Sequence, residues 1–145
     1  MVNQKEINEK IRKISEKEVL AVKEYLLELY NTELFERNLY FQEMRKFDGK
    51  ELETIKWLSV QEETHANVLE MILSRANVMV KETPPVMPTL SSIKKEIIKM
   101  DIMNETRAVN NYITTIAKTT GNLREVLTEI MQEELKHIKR LEEYL

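Results

Sequence analysis

Four chemically distinctive residues occur twice in this chain, with one constant offset between the copies. Glu33, Tyr40, Glu62 and His65 reappear as Glu105, Tyr112, Glu134 and His137, each 72 positions later. The chain has 2 histidines, both in this set and each three residues after a glutamate. Its 2 glycines, Gly49 and Gly121, share the same offset. Such a chain is expected to fold as two similar halves, each supplying Glu, Glu and His. Facing halves of this kind make two parts of a dinuclear metal site. Glutamate fills 23 of 145 positions, so one lies three before any given residue about 16% of the time. Both histidines would meet that condition by chance only about 2–3% of the time, before matching Glu and Tyr are required. A metal-free polar core, or histidines on the surface, is the competing explanation.

Composition narrows the class. A chain of 145 residues fits one domain and is long enough to bury a core. Two Gly, three Pro, few aromatics and 32% charged residues favour helices. A net charge of −3, without a Lys/Arg block, gives no reason to expect nucleic-acid binding. The absence of cysteine removes disulfides, thiolate ligands, a catalytic thiol and a Cys-ligated electron-transfer iron centre within this chain. Residues 1–6 lack the apolar stretch of a leader, and no segment approaches a membrane span. A cytoplasmic protein without membrane or nucleic-acid partners is expected.

Apolar residues recur at helical spacing almost throughout. Ser15 and Glu18 form a potential capping box, followed by a seam through Val19, Val22, Leu26, Leu29, Glu33, Glu36, Tyr40 and Phe47. Gly49 is expected to end that first helix in a left-handed cap. A second helix is predicted over 51–76, with Ile55, Leu58, Glu62, His65, Leu69 and Ile72 inward. All three prolines, Pro84, Pro85 and Pro88, fall in one extended connection. A third helix is predicted over 91–119, with Ile98, Glu105, Tyr112 and Ile116 inward, closed by Gly121. A fourth covers 123–145 through Leu127, Ile130, Glu134, His137 and Leu141. Residues 3–14 form a separate leading segment or extend the first helix. The chain then reads as a single all-α domain over 1–145, an antiparallel four-helix bundle of two helix pairs. One helix pair spans about 15–76 and the other about 91–145, joined by a long crossover at about 77–90. Reach permits this: two half-helices of about 14 residues span roughly 42 Å at ~1.5 Å per residue. About 14 extended residues cover roughly 46 Å.

Helical geometry then assigns the chemistry. Residues three apart lie about 60° apart around the axis and ~4.5 Å along it. Glu62 and His65 can therefore address one cation, Glu134 and His137 a second, and Glu33 and Glu105 add terminal carboxylates. One Glu from each of two helices plus Glu-x-x-His from each of the others is the carboxylate-bridged plan of dinuclear bundles. Four carboxylates balance two divalent cations, which explains how four acids tolerate a bundle centre. Oxygen and imidazole ligands suit iron or manganese, and spacing does not choose between them. Tyr40 and Tyr112 follow Glu33 and Glu105 by two turns, where each hydroxyl can support a ligand carboxylate or simply pack. Trp57 and the 8 methionines are expected to serve packing.

On these residues the chain resembles the ferritin-like diiron carboxylate superfamily, from Ser15 onwards. Within it the closest likeness is to the rubrerythrin and erythrin branch stripped of its rubredoxin module, since no cysteines follow the fourth helix. The resemblance implies a metal set of Glu33, Glu62, His65, Glu105, Glu134 and His137 around two iron ions, with manganese or a mixed pair also possible. Rubrerythrins carry a further carboxylate three residues after the third-helix glutamate, where this chain has Ala108. The matching place in the other repeat is Glu36, expected as a seventh carboxylate, as symerythrin-like proteins also show extra glutamates. An outward Glu36 is the alternative, and would favour dioxygen or ferroxidase chemistry.

The function so implied is a non-haem diiron oxidoreductase that reduces hydrogen peroxide. Its electrons would come from a separate donor protein, with Glu36, Tyr40 and Tyr112 assisting catalysis. A homodimer or other small homo-oligomer is expected. Three other readings stand beside it: a ferroxidase or iron-storage mini-ferritin, a diiron hydroxylase or oxidase using dioxygen, and a manganese catalase-like enzyme. The chain ends eight residues after His137, which argues against the fifth helix of large ferritins.

Overall fold

A computed structural model describes residues 3–83 and 85–145; Met1, Val2 and Pro84 lie outside the described residues. The fold is all-α, with no strand among the described residues. Six α-helices occur in that range: α1 (Gln4–Arg12), α2 (Glu16–Ala21), α3 (Lys23–Glu43), α4 (Gly49–Ser74), α5 (Lys94–Ile116) and α6 (Gly121–Glu142). No helix is long and apolar enough to cross a membrane among the described residues.

The leading segment is a helix of its own. Asn3 caps α1 by accepting from the Lys5 N–H, and Ile7, Ile11 and Ile14 are almost fully buried. Each such side chain contributes roughly 1.5–3 kcal/mol by leaving water. Lys10 pairs with Glu129 on α6 at 3.1 Å. Arg75 donates to the carbonyls of Ile14 and Arg12, so the segment is tied to both α4 and α6.

Ser15 and Glu18 form the capping box at the start of α2. The expected continuous first helix is interrupted, however. Val22 leaves helical geometry (φ −127°, ψ 20°), and its N–H bonds to the Val19 carbonyl in an i→i−3 contact before α3 begins. The role of Gly49 is also corrected. Its φ is +56°, in the left-handed region that favours glycine. Yet α3 ends earlier through a 3-10 turn (Met44–Lys46), and Gly49 opens α4 instead. Gly121 likewise has φ +57° and opens α6. The αL end of a helix falls at Asn77 (φ 57°), where Val78 N–H reaches the Leu73 carbonyl in a Schellman-type closure.

Helix α3 packs along α4 and α5 along α6, with further contacts of α3 with α5, α4 with α6 and α1 with α6. Two apolar clusters fill the interior. One gathers Ile7, Leu26, Leu29, Leu69, Ile72, Val126 and Ile130. The other gathers Phe47, Ile55, Leu58, Ile97, Ile98 and Leu141. The connection between α4 and α5 leaves the first cluster at Val78 and Val80 and reaches the second at Leu90. On the way it runs beside α3, where Arg37 pairs with Glu82 and Gln42 donates to the Pro88 carbonyl.

Candidate metal centre

Between the two apolar clusters lies a layer of ionisable side chains. Glu33, Glu62, Glu105, Glu134 and His137 are fully buried, and Glu36 and His65 are only 1% exposed. Each is on an inward seam because its helix places it at three- or four-residue steps from core residues such as Leu29, Leu58, Ile98 and Ile130. Both Glu-x-x-His segments therefore point the same way as the apolar stripes that carry them.

The six residues expected as ligands come together. His65 Nδ1 lies 2.6 Å from Glu134, 3.3 Å from Glu33 and 3.9 Å from Glu62. His137 Nδ1 lies 2.9 Å from Glu62, 3.6 Å from Glu105 and 3.7 Å from Glu134. The imidazole rings are nearly parallel, 17° apart in plane with centroids 5.7 Å apart. Two sets of donor atoms result, Glu33–Glu62–His65–Glu134 and Glu62–Glu105–Glu134–His137, each with all its atoms within 4.8 Å of one another. Glu62 and Glu134 belong to both sets, the property of bridging carboxylates.

Both tyrosines meet ligand carboxylates across the fold. Tyr112 donates to Glu33 at 2.8 Å, and Tyr40 to Glu105 at 2.6 Å. Because each tyrosine follows its own helix's glutamate by seven residues, the crossed pairing requires α3 and α5 to run antiparallel. Trp57 is less buried than a core residue, at 38% exposure. It sets its ring edge-on to His137, 5.1 Å away, and Arg140 lies over its face.

Burial and mutual proximity set the electrostatics of this layer. Burial, reinforced by neighbouring carboxylates, holds Glu62, Glu36 and Glu105 well above the usual carboxylate range. Burial and Glu134 also raise Glu33. Burial opposes the ionised form of Glu134, but Glu105, His137 and His65 more than offset it and hold Glu134 low. Burial also works against a charged His137, yet Glu105 and Glu134 bring it up to about 9. For His65, Glu33, Glu133 and Glu134 likewise outweigh burial. Both nitrogens of each imidazole, both oxygens of Glu36, Glu62 and Glu134, and one each of Glu33 and Glu105 make no well-aligned hydrogen bond, their close neighbours being one another. Buried polar atoms are normally satisfied, and these orphans converge on one volume. Mixed carboxylate and imidazole donors of this kind are metal ligands, and a cation's charge would remove the repulsion. The residues of either set could thus hold a metal ion.

Glu36 is buried, not turned to solvent, but it belongs to neither donor set. Three further acids were not anticipated. Glu133, also buried, lies 3.8 Å from His65 Nε2, on the ring side away from the donor set. Glu43 and Asp101 are fully buried, and their carboxyl groups face each other with no other donor to either. Spacing carries the missed signal: Glu43 follows Tyr40 by three, Asp101 precedes Glu105 by four and Glu133 precedes His137 by four. All share the inward faces.

No protein family, curated protein or solved structure matches this chain in comparison.

Proposed function

We propose that the protein is a ferritin-like four-helix bundle of two helix-pair repeats and a non-haem diiron carboxylate oxidoreductase. Its substrate on this reading is hydrogen peroxide, with a separate protein as electron donor and a cytoplasmic setting. The observation that carries it is the pair of buried donor sets sharing Glu62 and Glu134. A bound ferrous pair would supply the two electrons that, with two protons, convert one peroxide to two waters. Glu33, Glu62, His65, Glu105, Glu134 and His137 would hold the ions, Glu62 and Glu134 being common to both donor sets. Tyr40 and Tyr112 keep the terminal carboxylates aimed. Glu36, an acid beside the ligands but outside both sets, can carry a proton.

The test is to load the protein anaerobically with ferrous iron and mix it separately with peroxide and dioxygen. Much faster oxidation by peroxide, followed optically, supports the proposal; equal or faster oxidation by dioxygen contradicts it. Oxygen evolution from peroxide without any reductant would instead indicate catalase chemistry.

The position of Glu36 outside both donor sets favours a second reading, iron oxidation and storage. Sizing separates the two, since a twelve-subunit cage of 17.2 kDa chains would exceed about 200 kDa, against a small oligomer.

A further inference from the structure

A cleft of about 770 Å³ opens beside α3, α5 and the crossover. Exposed Glu24, Glu28, Asn31, Lys81 and Arg107 line it, together with half-buried Asn104 and buried Glu36. None of the six ligand residues lines it, so Glu36 alone belongs both to the cleft and to the acid layer. Glu36 is 1% exposed and neither of its oxygens makes a well-aligned hydrogen bond. Its repeat-equivalent position on α5 is Ala108, which is fully buried and has no polar group to bind it.

The six candidate ligand residues are at most 1% exposed, and apolar clusters close the interior on both sides of them. A hydrated cation cannot cross such packing without losing its water uncompensated. A lateral approach between helices avoids that cost where polar groups replace the shed water. We propose that this cleft is the route by which a hydrated divalent cation reaches the centre, with Glu36 receiving it at the floor and passing it to the cluster. The inference rests on the metal-centre reading above. A carboxyl group whose hydrogen-bonding neighbour is another acid, Glu62, is suited to the task, because turning outward gives up no well-aligned hydrogen bond. At the rim Glu24 and Glu28 are balanced by Lys81 and Arg107, so the buried Glu36 is the acid left without a lining counter-charge to draw a cation inward.

Stopped-flow loading of the metal-free protein with Co²⁺ tests this, with elemental analysis of the endpoint. Glu36→Gln should still bind two ions per chain but load about tenfold more slowly or worse. The pair Glu24→Lys/Glu28→Lys should slow loading comparably, as should Asn31→Trp, which obstructs the cleft without altering a ligand. Wild-type loading rates in all three variants would overturn the proposal. If Glu36→Gln bound fewer ions at saturation, the other two variants would decide: slow loading upholds the cleft route, and unchanged loading overturns it. A wild-type protein that binds no Co²⁺ at equilibrium would instead defeat the underlying metal-centre reading.

Discussion

Tyr40 donates its hydroxyl proton to Glu105 Oε1 across 2.6 Å, joining α3 to α5 inside the acid layer. Tyr112 and Glu33 repeat the arrangement in reverse. Charge-assisted bonds of this length fix a carboxylate's orientation, so each tyrosine sets the aim of a terminal ligand that belongs to the other half of the chain.

Replacing either tyrosine by Phe should therefore weaken cation binding about 10–100-fold while leaving two ions bound at saturation. Competition between the protein and a chelator for Co²⁺ measures this. Equal effects from Tyr40→Phe and Tyr112→Phe are expected because the contacts are equivalent. Unchanged affinity would reduce both tyrosines to packing.

Cation uptake should release protons. Without metal, burial keeps Glu62 and Glu105 protonated beyond the usual range, and His137 rises to about 9. Ligands must surrender these protons, so roughly one or more should leave per ion near neutral pH. Affinity should accordingly fall as pH falls. Calorimetry in buffers of different ionisation enthalpy reads the number directly, and binding with no proton release would contradict the account.

The buried acid pair beside the centre makes a separate stability prediction. Burial pushes Asp101 up to about 7 from the ordinary 3.8, partly offset by its contact with Glu43. Burial and Asp101 push Glu43 up to about 12. Between pH 3.8 and about 7 the folded protein retains a proton on Asp101 that the unfolded chain has lost. Its stabilising contribution is thus full at low pH and disappears as pH rises through that window. Asp101→Asn should shrink the stability difference between pH 5 and 7.5 by roughly 1–4 kcal/mol, measured by urea unfolding of the metal-free protein. An unaltered pH dependence would exclude this titration.

Gly49 and Gly121 should respond alike to substitution. A Cβ at either meets no atom within 4 Å, so only the left-handed backbone opposes alanine. Gly49→Ala and Gly121→Ala should each destabilise by about 1–2 kcal/mol in urea unfolding. Markedly unequal values would mean that the two turns are not equivalent.

Much of this was legible in the chain because helical spacing and a repeated offset act on many residues at once. The inward stripes Leu26–Leu29–Glu33 and Leu127–Ile130–Glu134–His137 are buried where their period puts them. Local breaks were less visible. Nothing in the residue type of Val22 separates the α2–α3 kink from an ordinary β-branched helical position. Gly49 announced a left-handed residue but not which of two flanking helices it would serve. Glu43, Asp101 and Glu133 were obscured because a lone acid in a Glu-rich chain usually marks a solvated face. Their burial follows from the packing of α3, α5 and α6, and none has a repeated partner to single it out: the equivalent positions are Thr115, Leu29 and Gln61.

The central claim is that Glu62 and Glu134 are shared between two cations held by the two halves of the chain. Elemental analysis after anaerobic loading with ferrous iron, on the wild type and on Glu62→Leu, tests it most directly. The account predicts two ions per chain in the wild type and loss of both in the variant, since Glu62 serves both donor sets. A wild type holding none, or a variant still holding two, would contradict it.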